Sequence, residues 1–221
     1  IEQDQIFYKK VKHMTRLINQ EHNYAGKFGA AFRSSAIFYK PLNVKTTISF
    51  SNYWKFKNGI DVGLVISFRS ISGELVERRE FRFDGINVKN IEVEEVEEGS
   101  IEIEAFAACN LRIPYAAIMC VYETEKSISM VHSYGRNHSI IELEDDNAVV
   151  VGRESCWTIR SGRSLLNKAV FHNGHLDIPK QRAKLTITRL DGEEKTIEFD
   201  MRSLKAFETY IFELEKIFED L

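Results

Sequence analysis

LTITRLDGEEKTIEF, residues 185–199, decides the fold class, because it reads as two strand-forming segments joined through Asp191-Gly192. An Asp-Gly pair favours a tight turn, since both residues tolerate positive φ, and so the stretch predicts an antiparallel hairpin. Working outward, the same signal fills the chain from Val44 to Phe199. Strands are expected at 44–50, 61–70, 74–83, 87–93, 100–106, 114–123, 128–134, 147–152, 155–159, 167–172, 183–190 and 195–199. Ile101, Ile103 and Ala105 alternate with Glu102 and Glu104, the period-2 pattern of a strand that buries one face. Asn58-Gly59, Ser72-Gly73, Asp84-Gly85, Asp145-Asp146-Asn147 and Asn173-Gly174 punctuate the run. The intervals between strands leave no repeated room for the helix of a parallel crossover, so the expected architecture is mainly β, an antiparallel two-sheet β-sandwich over about 44–199.

The ends of the chain carry a helical period instead. Ile6, Phe7, Val11, Met14, Leu17 and Ile18 form one apolar stripe, which predicts an N-terminal helix over about 4–22. Residues 27–43 are less regular and rich in aromatic bulk, with Phe28, Phe32, Phe38 and Tyr39 ahead of Pro41. In MRSLKAFETYIFELEKIFEDL, Leu204, Phe207, Ile211, Leu214 and Phe218 predict a C-terminal amphipathic helix over about 202–219 with Ser203 as its cap. Its apolar face is expected to pack on the rest of the chain; a protein partner or self-association through those five residues is the alternative. A single domain over 1–221 is favoured because no Pro/Gly-rich linker interrupts it, with a division near Ile113-Pro114 as the other option.

Composition narrows the function classes. The 221 residues carry 30 Lys and Arg against 33 Asp and Glu, a net charge of -3, so the basic field that nucleic-acid binding requires is missing. Arg78, Arg79 and Arg82 are interrupted by Glu77, Glu80 and Asp84. No membrane span is expected, because no stretch approaches about 18 consecutive apolar residues. The N-terminal segment from Ile1 is too polar for a signal-peptide core. Cys109, Cys120 and Cys156 show no CxxC spacing, which fits a reducing, cytoplasmic location. GxGxxG and GxxxxGK[ST] are both missing, so no cofactor is expected. The acid-rich IEVEEVEEGS run places its carboxylates on strand positions and around a turn, which reads as a solvated face rather than a calcium loop. Trp54, beside Tyr53 and Phe56, reads as an edge aromatic or a second stacking surface.

One region has the residues for chemistry. Four of the six histidines lie between His132 and His175, within MVHSYGRNHSIIELEDD, VGRESCWTIRSGR and VFHNGHLD. His132, Arg136, Glu154, Arg160 and His172 are the central constellation, if the strand ends carrying them are neighbours. A zinc site would draw three or four ligands from His132, His138, Cys156, His172, His175 and Glu154, but HExxH is missing and no metal is assigned. A thiol nucleophile would be Cys156 with His132 or His172. The favoured reading is a recognition domain for a polar small molecule, with a saccharide as the narrower candidate. Arg136 and Arg160 would clamp an anionic group, Tyr134 or Trp157 would stack on a sugar face, and His132, His172, Asn173 and Glu154 would supply polar contacts. A hydrolase using the 132–175 cluster, or a structural protein-interaction domain, are the alternatives, and ion pairs with self-satisfied histidines would account for the same residues without any ligand.

Overall fold

In a computed structural model of the chain, the residues described are 33–52, 55–56, 59, 61–83, 85, 87–107, 118–132, 136–138, 159, 166–174 and 177–218. The helix expected over 4–22, the strand expected at 147–152, most of that at 155–159, and Trp54 lie outside them. Among the described residues the chain forms β1 (Arg33–Lys40), β2 (Lys45–Ser51), β3 (Val62–Ser70), β4 (Leu75–Arg82), β5 (Val88–Glu92), β6 (Gly99–Ala107) and β7 (Ile118–Glu123). β8 (Ile128–His132), β9 (Arg136–His138), β10 (Lys168–His172), β11 (Gln181–Thr188), β12 (Glu194–Met201) and β13 (Thr209–Glu213) follow, and then a single helical turn, Leu214–Ile217.

Every strand pairing is antiparallel. One sheet has the order β4-β3-β6-β1-β9 and a second has β5-β2-β7-β8, while β10-β13 and β11-β12 form two-stranded sheets. The β11-β12 hairpin pairs Gln181 with Met201 through to Thr188 with Glu194, as the Asp191-Gly192 turn requires. A single buried hydrophobic cluster takes Ala36, Phe38, Leu64, Ile66, Phe68, Ile101 and Ile103 from the first sheet and Ile48, Phe50, Ile91, Ile118 and Cys120 from the second. Burial of that much apolar side chain is the main favourable term in this fold.

Two sequence expectations are corrected. First, β6 does not bury one face only. Glu104, opposite to the hydrophobic cluster, is buried, and so are Val65, Ser67 and Arg69 on the same side of β3. The Arg69 guanidinium supplies the opposite charge on this side, interacting with the Glu102 and Glu104 carboxylates, while Arg78 donates from Nε to Ser67 Oγ at 3.0 Å. Second, the C-terminal helix shrinks to Leu214–Ile217, and Thr209–Glu213 is a strand that pairs with β10. TYIFE concentrates β-branched and aromatic side chains, which fit a pleated surface better than a helix. Leu204, Leu214 and Phe218 are buried, as expected of residues that pack on the rest of the chain, while Ile211 is half-buried and Phe207 is half-buried against the Arg69 guanidinium.

The irregular aromatic stretch before Pro41 resolves into β1. Ala36 and Phe38 enter the hydrophobic cluster while Ile37 faces away, and β1 lies between β6 and β9.

Candidate functional site

The sequence-assigned residues fall on three different sheets. His132 ends β8 and is paired with Met119 of β7, in the four-stranded sheet. Arg136 opens β9 and is paired with Ser35 of β1, in the five-stranded sheet. His132 and Arg136 thus stand on the end strands of two different described sheets. His172 closes β10 opposite Thr209 of β13, and Asn173 follows it. Tyr134, Glu154, Trp157 and Arg160, together with Cys156 and His175, lie outside the described residues.

His172 and Asn173 are held by their own surroundings. His172 Nδ1 lies 2.9 Å from Thr209 Oγ1, and burial pushes its imidazole down to a pKa of about 4, so the ring is neutral at physiological pH. Asn173 is buried; its Nδ2 donates to the Lys205 carbonyl at 2.7 Å and its Oδ1 accepts from Gly174 N at 2.8 Å. Its backbone N–H donates to the Glu208 carbonyl at 2.8 Å. These bonds fasten the end of β10 to the segment between β12 and β13, so His172 and Asn173 are used for architecture at this point.

Two further polar clusters were not singled out as sites by the sequence. Lys40, at the end of β1, is only 6% exposed, and its Nζ donates to the carbonyls of Pro41 at 3.0 Å, Val44 at 3.0 Å and Glu97 at 3.3 Å. Three donors meeting three carbonyls satisfy a buried ammonium, although burial still lowers its pKa. Beside it, Tyr122 donates from its hydroxyl to the Tyr39 carbonyl at 2.6 Å and Tyr39 donates to Glu98. Burial pushes both phenols up, and it pushes the Cys120 thiol up to about 11. A thiol in that state supplies almost no thiolate near neutral pH, so Cys120 is a packing residue and not a nucleophile. The signal that would have found this cluster is the lone Lys in RSSAIFYKP, directly before a proline turn.

The second cluster surrounds Arg69. Its Nη1 donates to the Gly73 carbonyl at 3.2 Å, its Nε stands 3.7 Å from Glu102 Oε2, and its guanidinium carbon lies 3.9 Å from the centre of the Phe207 ring. The acidic run is likewise spent on separate partners: Glu92 with Lys45, Glu95 with Arg79 and Glu98 with Tyr39. Among the described residues no group of three or more His, Cys, Asp or Glu is arranged to hold a metal ion, and no helix is long and apolar enough to cross a membrane.

Comparisons of the chain with protein-family models, with curated proteins and with solved structures give no match.

Proposed function

We propose that this chain is a recognition domain that binds a polar, anion-bearing small molecule, with an acidic saccharide as the narrower candidate, beside His132 at the end of β8 and Arg136 at the start of β9. The observation that carries this reading is the placement of His132 and Arg136 on the end strands of the two larger described sheets. Histidine and arginine are residue types that can supply hydrogen bonds, and arginine a fixed positive charge, to a carboxylate or phosphate. The same reading takes the two larger sheets to pack face to face as a sandwich, which is supported by the single hydrophobic cluster to which both contribute. It also keeps the reducing, cytoplasmic location, in line with the free buried thiol of Cys120.

The test is a titration of the labelled protein with glucuronate, inorganic phosphate and neutral glucose, followed through its amide resonances. Saturable shifts confined to residues 128–138 with the two anions are expected. Arg136→Ala should weaken that binding roughly 10- to 100-fold, the range for losing a hydrogen bond to a charged group, while leaving the melting temperature unchanged. Absence of saturation with all three compounds would remove the proposal.

A protein-interaction role draws on a separate observation. On β8, Ile128, Met130 and Val131 are 72%, 62% and 46% exposed, an apolar strip on the end strand of a described sheet. Self-association through it predicts that Met130→Lys lowers the mass found by equilibrium sedimentation without loss of folding; an unchanged mass would exclude it.

A further inference from the structure

The segment between β12 and β13 is braced from within the C-terminal part of the chain. Asp177 accepts from Ala206 N at 2.8 Å and from Lys205 Nζ at 3.0 Å. Glu208 accepts from Lys205 N at 2.8 Å and pairs with Arg202. Phe207 N donates to the Gly174 carbonyl at 2.7 Å, and the Asn173 side chain and backbone bind the Lys205 and Glu208 carbonyls. Leu204 and Ile178 exchange both backbone bonds, at 2.8 and 2.9 Å. The segment is thereby fixed to β10, to β13 and to residues 177–178.

Its described contacts with the five-stranded sheet are fewer and fall on one place, the end of β3 and the turn into β4. Thr209 N donates to the Ile71 carbonyl at 2.9 Å. The Phe207 ring lies against the Arg69 guanidinium, and Gly73 meets the segment backbone to backbone: a Cβ there would stand 2.5 Å from the Ala206 carbonyl oxygen. Phe207 makes this contact with a φ of +62°, a conformation that is sterically costly for a bulky side chain. The docked state thus sets a strained residue against one cation-π contact, one backbone bond and one glycine seat.

We infer that residues 203–209 are a latch that docks the β10-β13 pair on the β3-β4 turn, and that this pair opens as a unit while the two larger sheets stay folded. The bonds of His172 and Asn173 to Thr209, Lys205 and Glu208 lie within the unit that moves and stay made when it opens. The inference is independent of ligand binding at His132 and Arg136, because the latch contacts named above are made by other residues.

Native-state hydrogen exchange on the whole chain tests it. In the unaltered protein, amides paired between β10 and β13 should exchange through an opening that spares those of β3 and β6. Phe207→Ala should speed exchange of the β10-β13 amides roughly 10- to 30-fold, the range for a desolvated cation-π contact, with β3 and β6 rates unchanged. Gly73→Ala crowds the seat and also strains the β3-β4 turn, where Gly73 has a φ of +88°, so it should speed exchange of the β10-β13 amides together with those of β3 and β4 beside the turn. Equal exchange free energies for the two sets of amides in the unaltered protein, or equal acceleration of both in Phe207→Ala, would overturn the latch, as would no acceleration in either variant.

Discussion

Replacing Gly99 by Ala is expected to cost the fold about 3 kcal/mol or more. A Cβ at Gly99 would stand 1.9 Å from the Arg69 carbonyl oxygen and 2.9 Å from the Ser70 carbonyl carbon, and both are backbone atoms that no side-chain rotation removes. Gly99 opens β6, which is paired on one side with Ser70 of β3 and on the other with Lys40 of β1. Moving β6 away from β3 drives it into β1, whose end is pinned by the buried Lys40 ammonium on the carbonyls of Pro41, Val44 and Glu97. The close approach therefore has no inexpensive relaxation. Urea unfolding of Gly99→Ala against Gly174→Ala checks it, because a Cβ at Gly174 meets nothing within 4 Å and should change stability by less than about 0.5 kcal/mol. Two variants that unfold at the same urea concentration would show that β6 has room to shift.

The second large effect is a loss of stability on mild acidification. His172 is half-buried with its Nδ1 against Thr209, and desolvation lowers its pKa from the ordinary 6.5 to about 4. The folded state thus favours the neutral ring, and the unfolded state takes up a proton first as the pH drops. The stabilisation is fully present above pH 6.5, declines as pH falls towards 4, and amounts to about 3 kcal/mol over that window. Asp177, Glu208, Glu213 and Glu215 have carboxyl groups held below their usual range by hydrogen bonds, so their contribution is lost at lower pH, below the ordinary carboxylate range. His172→Asn keeps a group that can bond Thr209 and cannot titrate. Unfolding free energies at pH 7, 6, 5 and 4.5 should fall steeply for the unaltered protein and remain nearly level for the variant. Parallel profiles would move the acid sensitivity elsewhere.

Much of the strand framework was legible because alternation and turn chemistry agree in the sequence. β2 through β8 and β10 through β12 fall within a few residues of their expected places. β1 escaped because its apolar residues, Ala36, Ile37, Phe38 and Tyr39, run consecutively, and a run of that kind has no period until its neighbours decide which side is inside. β13 escaped for the opposite reason. Leu204, Phe207, Ile211, Leu214 and Phe218 are spaced as on a helix, yet they come from a bridge, a loop, a strand, a helical turn and the residue after it. Each is drawn inward separately, so helical spacing arose without a helix. Of the candidate site, the sequence identified the polar residues but not their allocation to sheets. His132 and Arg136, four positions apart, end on different sheets, whereas His172 and Asn173 are bound by a segment more than thirty residues later.

The strand order also sets a schedule for biosynthesis. β1 belongs between β6 and β9, and Tyr39 meets Glu98 only after 59 further residues have been made. At a synthesis rate of roughly 5–20 residues per second, several seconds pass in which β1 has been made but its partner in β6 has not. β3 and β4 can close their local hairpin in that interval, but Ala36 and Phe38 have no sheet to enter. On the ribosome, the vulnerable species is accordingly a nascent chain that carries β1 through β4 and still awaits β6.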